Sequence, residues 1–280
     1  MAFIQKVSGE RARFNQGKLR QSLRRAGAEA GLADEVVKEV ARAVRNGMTT
    51  HHIHKMALRM LKRRSRPIAA KFHLKRAMLH LGQSGFPFER YVAELLRQQN
   101  MRVDINRIMA GKCVHHEIDI VAIDDDKVIV VECKYHNSLA LKTDLKVALS
   151  VKARFDDLKR GAHLNGIDAR RSSAWLVTNT RFSTDAEKFG LCAGLRLMAW
   201  DFPKKGSLRQ LIESAGLYPV TCLTNLTRSE IASLLADNIV LCRTIRQDPQ
   251  ILDRLAIPLR RKRSILDQCD HLTRQNQQVS

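Results

Sequence analysis

Two apolar, largely β-branched runs, Ile118–Ile123 and Val128–Tyr135, stand almost back to back, separated only by the acidic triplet Asp124-Asp125-Asp126 and a lysine. Such runs, split by a turn-rich triplet, read as two strands of a hairpin. The stretch Val128-Ile129-Val130-Val131 is apolar on both faces, so its sheet must be buried on both sides. A four-residue connection, Asp124–Lys127, would set Ile123 opposite Val128. Counting outwards, Asp119 then faces Glu132 and Glu117 faces Lys134. Side chains two apart share a face, so all four project to one side. A register slip of one residue would separate Asp119 from Glu132.

Opposed residues carry Cβ atoms ~4.5–5.5 Å apart. Two carboxylates held that close in a partly buried sheet repel, and a divalent cation resolves the repulsion. Mg²⁺ commonly takes one or two carboxylates together with waters and substrate phosphate. Lys134, two residues beyond Glu132, would sit beside such an ion, placed to orient or deprotonate a water or to stabilise charge on a phosphate. A lone Glu-x-Lys is more often a charge ladder on a wet strand. The polar residues gathered at one end of an apolar sheet favour a site.

Around this hairpin the periodicity predicts helices. Lys18–Ala30, Asp34–Val44 and Ile53–Lys62 carry apolar residues at helical spacing, the third capped by Thr49 or Thr50, and Pro67 opens another through His80. Gly82–Gly85 reads as a linker. A helix over Phe88–Leu96, an extended Met101–Met109, the hairpin, a helix over Asp144–Arg160, a strand at Ala174–Thr178, a helix at Thr184–Leu191 and a strand at Leu195–Trp200 follow. That order predicts an α/β (α+β overall) chain with a central mixed sheet flanked by helices. Residues 207–280 read as helical at Ser207–Ala215, Arg228–Leu235 and Asp248–Leu255, with a basic cluster Arg260–Arg263 and a frayed end at Gln275–Ser280. Three parts are expected: 1–84, 85–206 and a C-terminal helical extension, 207–280.

The 280-residue chain carries a net charge of +21, of which +14 lies within residues 1–80. Such a distribution favours polyanions, DNA above all, through phosphate neutralisation and counterion release. The six cysteines form no Cys-x-x-Cys pair, which argues against a zinc ribbon or a disulfide framework and fits a reducing, cytoplasmic setting. No apolar run reaches membrane-spanning length and no secretory leader is read at the N-terminus. His51, His52 and His54 have no fourth ligand at suitable spacing for zinc.

Asp119, followed after twelve residues by Glu132-Cys133-Lys134, matches the D…(D/E)-x-K signature and resembles the PD-(D/E)xK nucleases, specifically the Mrr-type restriction endonuclease branch. Gly85-Phe86-Pro87-Phe88-Glu89, Glu117–Ala122 and Val177-Thr178-Asn179-Thr180 with Phe182-Ser183 and Ala186 resemble other segments of that family, so the likeness spans most of 85–205. It implies a restriction-endonuclease-like sheet, Asp119 and Glu132 as ligands of Mg²⁺ (or Mn²⁺), Lys134 as the catalytic lysine and Glu89 as a helix carboxylate near the metal. Many Mrr-type members carry Gln where this chain has Glu132. Glu89 alternatively complements the dipole at its helix N-terminus. His136 and Asn137 either touch phosphate or form a turn.

A second resemblance lies at the N-terminus. Lys6-Val7-Ser8-Gly9-Glu10, Phe14, Lys18-Leu19 and Gly47-Met48-Thr49-Thr50 are similar to an ATP-cone, a regulatory module that binds ATP or dATP. The resemblance puts Lys6 and Lys18 on the nucleotide. Val7 stands where a second basic residue is usual, and Ser8 replaces an acidic one. A helical basic module gripping DNA without nucleotide is the alternative. Together these features lead to a metal-dependent DNA endonuclease responsive to ATP or dATP, acting in restriction or in junction repair. The competing expectation is a non-catalytic, nucleotide-responsive DNA-binding regulator. The sequence does not give the oligomeric state, although these nucleases often need two centres to cut both strands, which leaves a homodimer open.

Overall fold

The computed structural model describes residues 2–7, 9–82, 84–125, 127–161 and 171–274. Ser8, Gln83, Asp126 and the expected frayed end at 275–280 lie outside the described residues. The chain divides into two compact units, each assembled from non-contiguous segments.

The first unit comprises Met1–Met78, Tyr218–Ser233 and Cys242–Arg274. It opens with a hairpin of β1 (Phe3–Gln5) and β2 (Arg11–Arg13), in which Ile4 faces Ala12. Gly9, at φ 83°, supplies a left-handed conformation in the connection, which a side chain would strain. Four helices follow: α1 (Gln16–Arg25), α2 (Ala30–Ala43), α3 (Thr50–Arg64) and α4 (Arg66–Ala77). Asn15 caps α1 by accepting from the Lys18 amide, and Thr49 caps α3 by accepting from the His52 amide. Leu23, Val36, Val37, Val40, Ala57 and Leu61 form their shared core. Helical spacing alone decides which faces turn inward.

The second unit spans Leu79–Leu217 with Leu234–Leu241. Helix α5 (Phe86–Arg97) precedes β3 (Arg102–Ala110), β4 (His115–Asp124) and β5 (Lys127–Lys134). Then come α6 (Leu145–Arg160), β6 (Ser172–Thr178), α7 (Thr184–Cys192), β7 (Arg196–Met198) and α8 (Leu208–Ala215). Among the described residues the five strands form one mixed sheet in the order β3-β4-β5-β6-β7. The first two pairings are antiparallel and the last two parallel. Parallel neighbours need crossovers, and α6 and α7 provide them. Val128, Val130, Ala174 and Leu176 pack with Ala148, Val151, Phe155 and Leu158 of α6 on one face. Gly190 lets α7 lie close on the sheet, since a Cβ there would come within 2.8 Å of Leu197.

The hairpin register is the one expected, with Ile123 opposite Val128. The turn is tighter than expected, because Asp124 also pairs with Lys127 and Asp125 takes a left-handed φ of 50°.

The segment read as one C-terminal extension is shared between the units. Residues 207–217 continue the second unit through α8, where Ser207 and Gln210 form a reciprocal capping box. The rest supplies α9 (Arg228–Ala236), α10 (Cys242–Gln247) and α11 (Leu259–Thr273). Within the first unit α11 packs on α4 and buries Ile265, Cys269 and Leu272. Asn225 ties the same region together: Arg66 donates to its side chain, Arg261 donates to its carbonyl at 2.7 Å, and its amide donates to Ser264 at 2.6 Å. Pro249–Leu255, expected as α-helix, is 3₁₀. Among the described residues no helix is long and apolar enough to cross a membrane.

Candidate active site

Asp119 and Glu132 lie where β4 and β5 part. The antiparallel ladder runs to Ile120 opposite Val131 and ends there. One residue further, the Asp119 side chain replaces a backbone rung: its Oδ2 accepts the Cys133 amide at 2.7 Å. On the other side, β3 pairs Ile105 with Ile120 and Arg107 with Ile118. Asn106, left-handed at φ 52°, therefore stands opposite Asp119. Asparagine tolerates that conformation better than most residues. Asp119 thus sits at a break in both of its ladders, where its carboxylate is fixed by the neighbouring strand.

Glu132 continues β5 beside β6, opposite Leu176, and Lys134 lies opposite Thr178. The Glu132 side chain is 22% exposed, and its Oε2 accepts from Arg154 Nη1 of α6 at 2.9 Å. Lys134 is exposed, and its charge acts on both Asp119 and Glu132.

Glu89 comes from the first turn of α5 and lies close enough to feel three other carboxylates. Burial, then the charges of Asp119, Glu132 and Glu117, pushes its carboxyl up to about 7. Burial also raises Asp119, against the lowering effects of the Cys133 amide and Arg154. Glu132 is raised first by burial and then by Asp119, while Arg154 and Lys134 oppose the shift. The fold therefore brings Glu89, Asp119, Glu132 and Lys134 to one place, and it concentrates negative charge there. Among the described residues no three His, Cys, Asp or Glu are grouped to hold an ion unaided. Asp119 and Glu132 form a two-carboxylate set, and the protein hydrogen bonds described above occupy only Oδ2 of the one and Oε2 of the other. That donor set fits Mg²⁺ or Mn²⁺, which complete their shells with water and phosphate.

The chain beyond Lys134 is pinned by a residue whose part the sequence did not reveal. Asn179, fully buried, accepts the His136 amide on Oδ1 at 2.8 Å and donates Nδ2 to the His136 carbonyl at 2.7 Å. Its side chain adds one more rung to the β5–β6 ladder. Thr178 adds another hold, its hydroxyl donating to the Lys134 carbonyl at 2.7 Å. His136 faces Thr143 Oγ1 at 3.1 Å, and burial followed by the Lys134 charge lowers its pKa. Asn137 is exposed in the same loop.

Arg154 is the other residue missed. The only signal was its place on a helix that follows the Glu-x-Lys strand.

In the first unit, Lys6 Nζ bonds both carboxylate oxygens of Glu10 at 3.0 Å on the surface. Lys18 is exposed at the start of α1. The structure does not place these two lysines in contact with each other. Of the three early histidines, His54 is packed against Phe72 with ring centroids 4.6 Å apart and approaches His73 at 3.4 Å, whereas His51 meets Arg76.

Comparison with known proteins locates three family matches. The ATP cone domain matches residues 2–80, the C-terminal part of AF1548-like proteins matches 218–273, and DUF234, a family of archaeal and bacterial proteins of unknown function, matches 64–147. The chain is 35% identical over 154 residues to an uncharacterized protein of Archaeoglobus fulgidus, covering 55% of this chain and 83% of that one. The crystal structure of AF1548, a protein of unknown function, superposes with a TM-score of 0.54 at 30% identity, over 70% of this chain and 98% of the other. A repair endonuclease from Pyrococcus abyssi overlaps 36% of this chain and 39% of its own at 20% identity, with a TM-score of 0.28, too loose a likeness to bear on function.

Proposed function

The chain belongs to the family of AF1548-like proteins, and we propose that its second unit is a divalent-metal-dependent DNA endonuclease of the Mrr type, governed by ATP or dATP through the N-terminal ATP-cone. One observation carries this reading: Asp119 and Glu132 stand with Lys134 at the parting of two strands, with Glu89 near enough to feel both carboxylates. Burial first, and then neighbouring carboxylate charge, holds Glu89, Asp119 and Glu132 above their ordinary pKa. A purely structural sheet gains nothing from such a cluster, since buried like charges cost stability.

Asp119 and Glu132 would hold the ion through their carboxylate oxygens. A bound Mg²⁺ or Mn²⁺ supplies Lewis-acid polarisation of the phosphate and a more acidic water. Lys134 places a mobile positive charge at the rim, where it orients the attacking water and balances charge gathering on the phosphate. Glu89, whose carboxyl is raised to about 7 by burial and by the neighbouring carboxylates, would hydrogen-bond water beside the pair. The buried Asn179 clamp fixes the chain after Lys134, so the lysine acts from a defined point on the strand.

The strongly basic first unit, net +14 over residues 1–80, supplies phosphate contacts that are independent of sequence. Lys6 and Lys18 are the residues assigned to nucleotide phosphates. For Lys6, binding would exchange the Glu10 carboxylate for a phosphate. A homodimer would bring two centres to the two strands of a duplex.

The test is plasmid cleavage by the purified chain with Mg²⁺ or Mn²⁺, with and without ATP or dATP, beside Asp119→Ala and Lys134→Ala. Metal-dependent nicking that drops at least ~100-fold in both variants is expected, the scale for removing a group that acts on the transition state. DNA binding without cleavage under any metal, equal in all three proteins, would instead support a non-catalytic regulator.

A further inference from the structure

The carboxylate cluster is not without positive charge, and the charge comes from an unexpected direction. Arg154 reaches back from α6 and donates Nη1 to Glu132 Oε2 at 2.9 Å. The two side chains are 39% and 22% exposed, so the pair lies at the rim and not in the core. Arg154 also favours the ionised forms of both Asp119 and Glu132, so its charge acts on both carboxylates. Its neighbour on the helix behaves differently: Lys152 is taken up by Asp156 one turn on. Arg154, unlike Lys152, is thus directed at the site.

We propose that Arg154 is a stand-in cation. In the metal-free protein its guanidinium neutralises Glu132; the arriving divalent ion displaces it, and the freed guanidinium moves onto a phosphate of the DNA. This rests on the nuclease reading of the site. A guanidinium 2.9 Å from Oε2 and a dication on the same carboxylate repel one another, so both do not hold Glu132 at full strength. The fork geometry suits the second post as well as the first, since arginine pairs with carboxylate and phosphate through the same donors. Partial exposure leaves the side chain free to swing without breaking a packed core. The device offsets part of the repulsion among the carboxylates before metal arrives, and it couples metal binding to DNA binding.

The test uses the full chain. Mn²⁺ binding is followed by electron paramagnetic resonance without DNA, for the wild type, Arg154→Ala, Arg154→Lys, Lys152→Ala and Asp119→Ala, with circular dichroism confirming that each is folded. Arg154→Ala should bind Mn²⁺ about tenfold more tightly than wild type, the size of one close charge-pair coupling. Arg154→Lys, which keeps the charge but loses the fork, should fall between them and serves if the alanine variant does not fold. Lys152→Ala should match wild type. DNA binding is then measured by anisotropy in Ca²⁺ and in EDTA. The gain in affinity on adding Ca²⁺ should shrink several-fold in Arg154→Ala, because coupling between two ligands is reciprocal. Unchanged or weaker Mn²⁺ binding in Arg154→Ala, or an equal gain in Lys152→Ala, would overturn the proposal while leaving the metal site standing. Mn²⁺ binding that is absent from wild type, or unaffected by Asp119→Ala, would instead overturn the metal site on which the proposal rests.

Discussion

Glu89→Gln removes one charge from the carboxylate cluster while keeping shape and hydrogen-bonding capacity, and its effect on stability has a definite sign. In the folded, metal-free protein the Glu89 carboxyl is displaced from an ordinary 4.5 to about 7. At ~1.4 kcal/mol per unit the displacement corresponds to about 3 kcal/mol, and partial solvent access reduces this to about 1–2 kcal/mol. Between those two values the unfolded chain has lost the proton and the folded chain still holds it. Folding then takes up a proton, so stability falls as pH rises from about 4.5 to about 7 and levels off above it. Glutamine carries no such proton. In EDTA at pH 8 the variant should therefore be more stable than wild type by about 1–2 kcal/mol, or ~2–8 °C in melting temperature for a unit of this size. At pH 5 the two should melt nearly together. Thermal melts at four pH values between 5 and 8 decide the matter. Parallel curves for the two proteins, or a variant less stable at pH 8, would show that Glu89 is not held among repelling carboxylates. A more stable protein that cleaves more slowly is the signature of a residue kept for function and not for folding.

Two further perturbations probe what holds the site in place. Asn179→Ala leaves the His136 amide and carbonyl without their partner beside a fully buried position; it should cost about 2–3 kcal/mol, read by denaturant melts, with faster hydrogen exchange at the His136 amide. Asp157 of α6 accepts the Cys113 and Val114 amides and faces His116 at 2.9 Å, so Asp157→Ala should speed exchange at both amides and lower the melting temperature. The His116 hydrogen bond, first among the causes, holds the Asp157 carboxyl well below the usual range. Its contribution is therefore complete above the unfolded carboxyl value, and the gap between wild type and variant should close as pH falls below about 4.

The hairpin was legible because two independent signals agreed. The apolar runs fixed where the strands lie, and the alternation of Asp119, Glu132 and Lys134 fixed which residues share a face; a turn one residue too long on each side leaves the register unchanged. What alternation could not show is that the ladder stops at Ile120, and that Asp119 then bonds the Cys133 amide in place of a backbone carbonyl. That depends on the path of two strands, not on the pattern of either. The same reason hid Asn179 and Arg154. Each acts across 22 or more residues of chain, through a hydrogen bond that no local periodicity records. Helix α11 was hidden differently: its four basic residues drew the eye to charge, although Ile265, Cys269 and Leu272 already stood at helical spacing. Their partner, α4, lies far up the chain, and only the completed core explains why the spacing matters. Long-range contacts thus place the residues that tune the site, while short-range pattern places those assigned to its chemistry. It follows that Arg154 and Asn179 belong to a different kind of test from Asp119 and Lys134. The second pair is examined by asking whether cleavage survives. The first pair is examined by asking whether metal affinity or backbone order moves, quantities that a sequence motif does not predict.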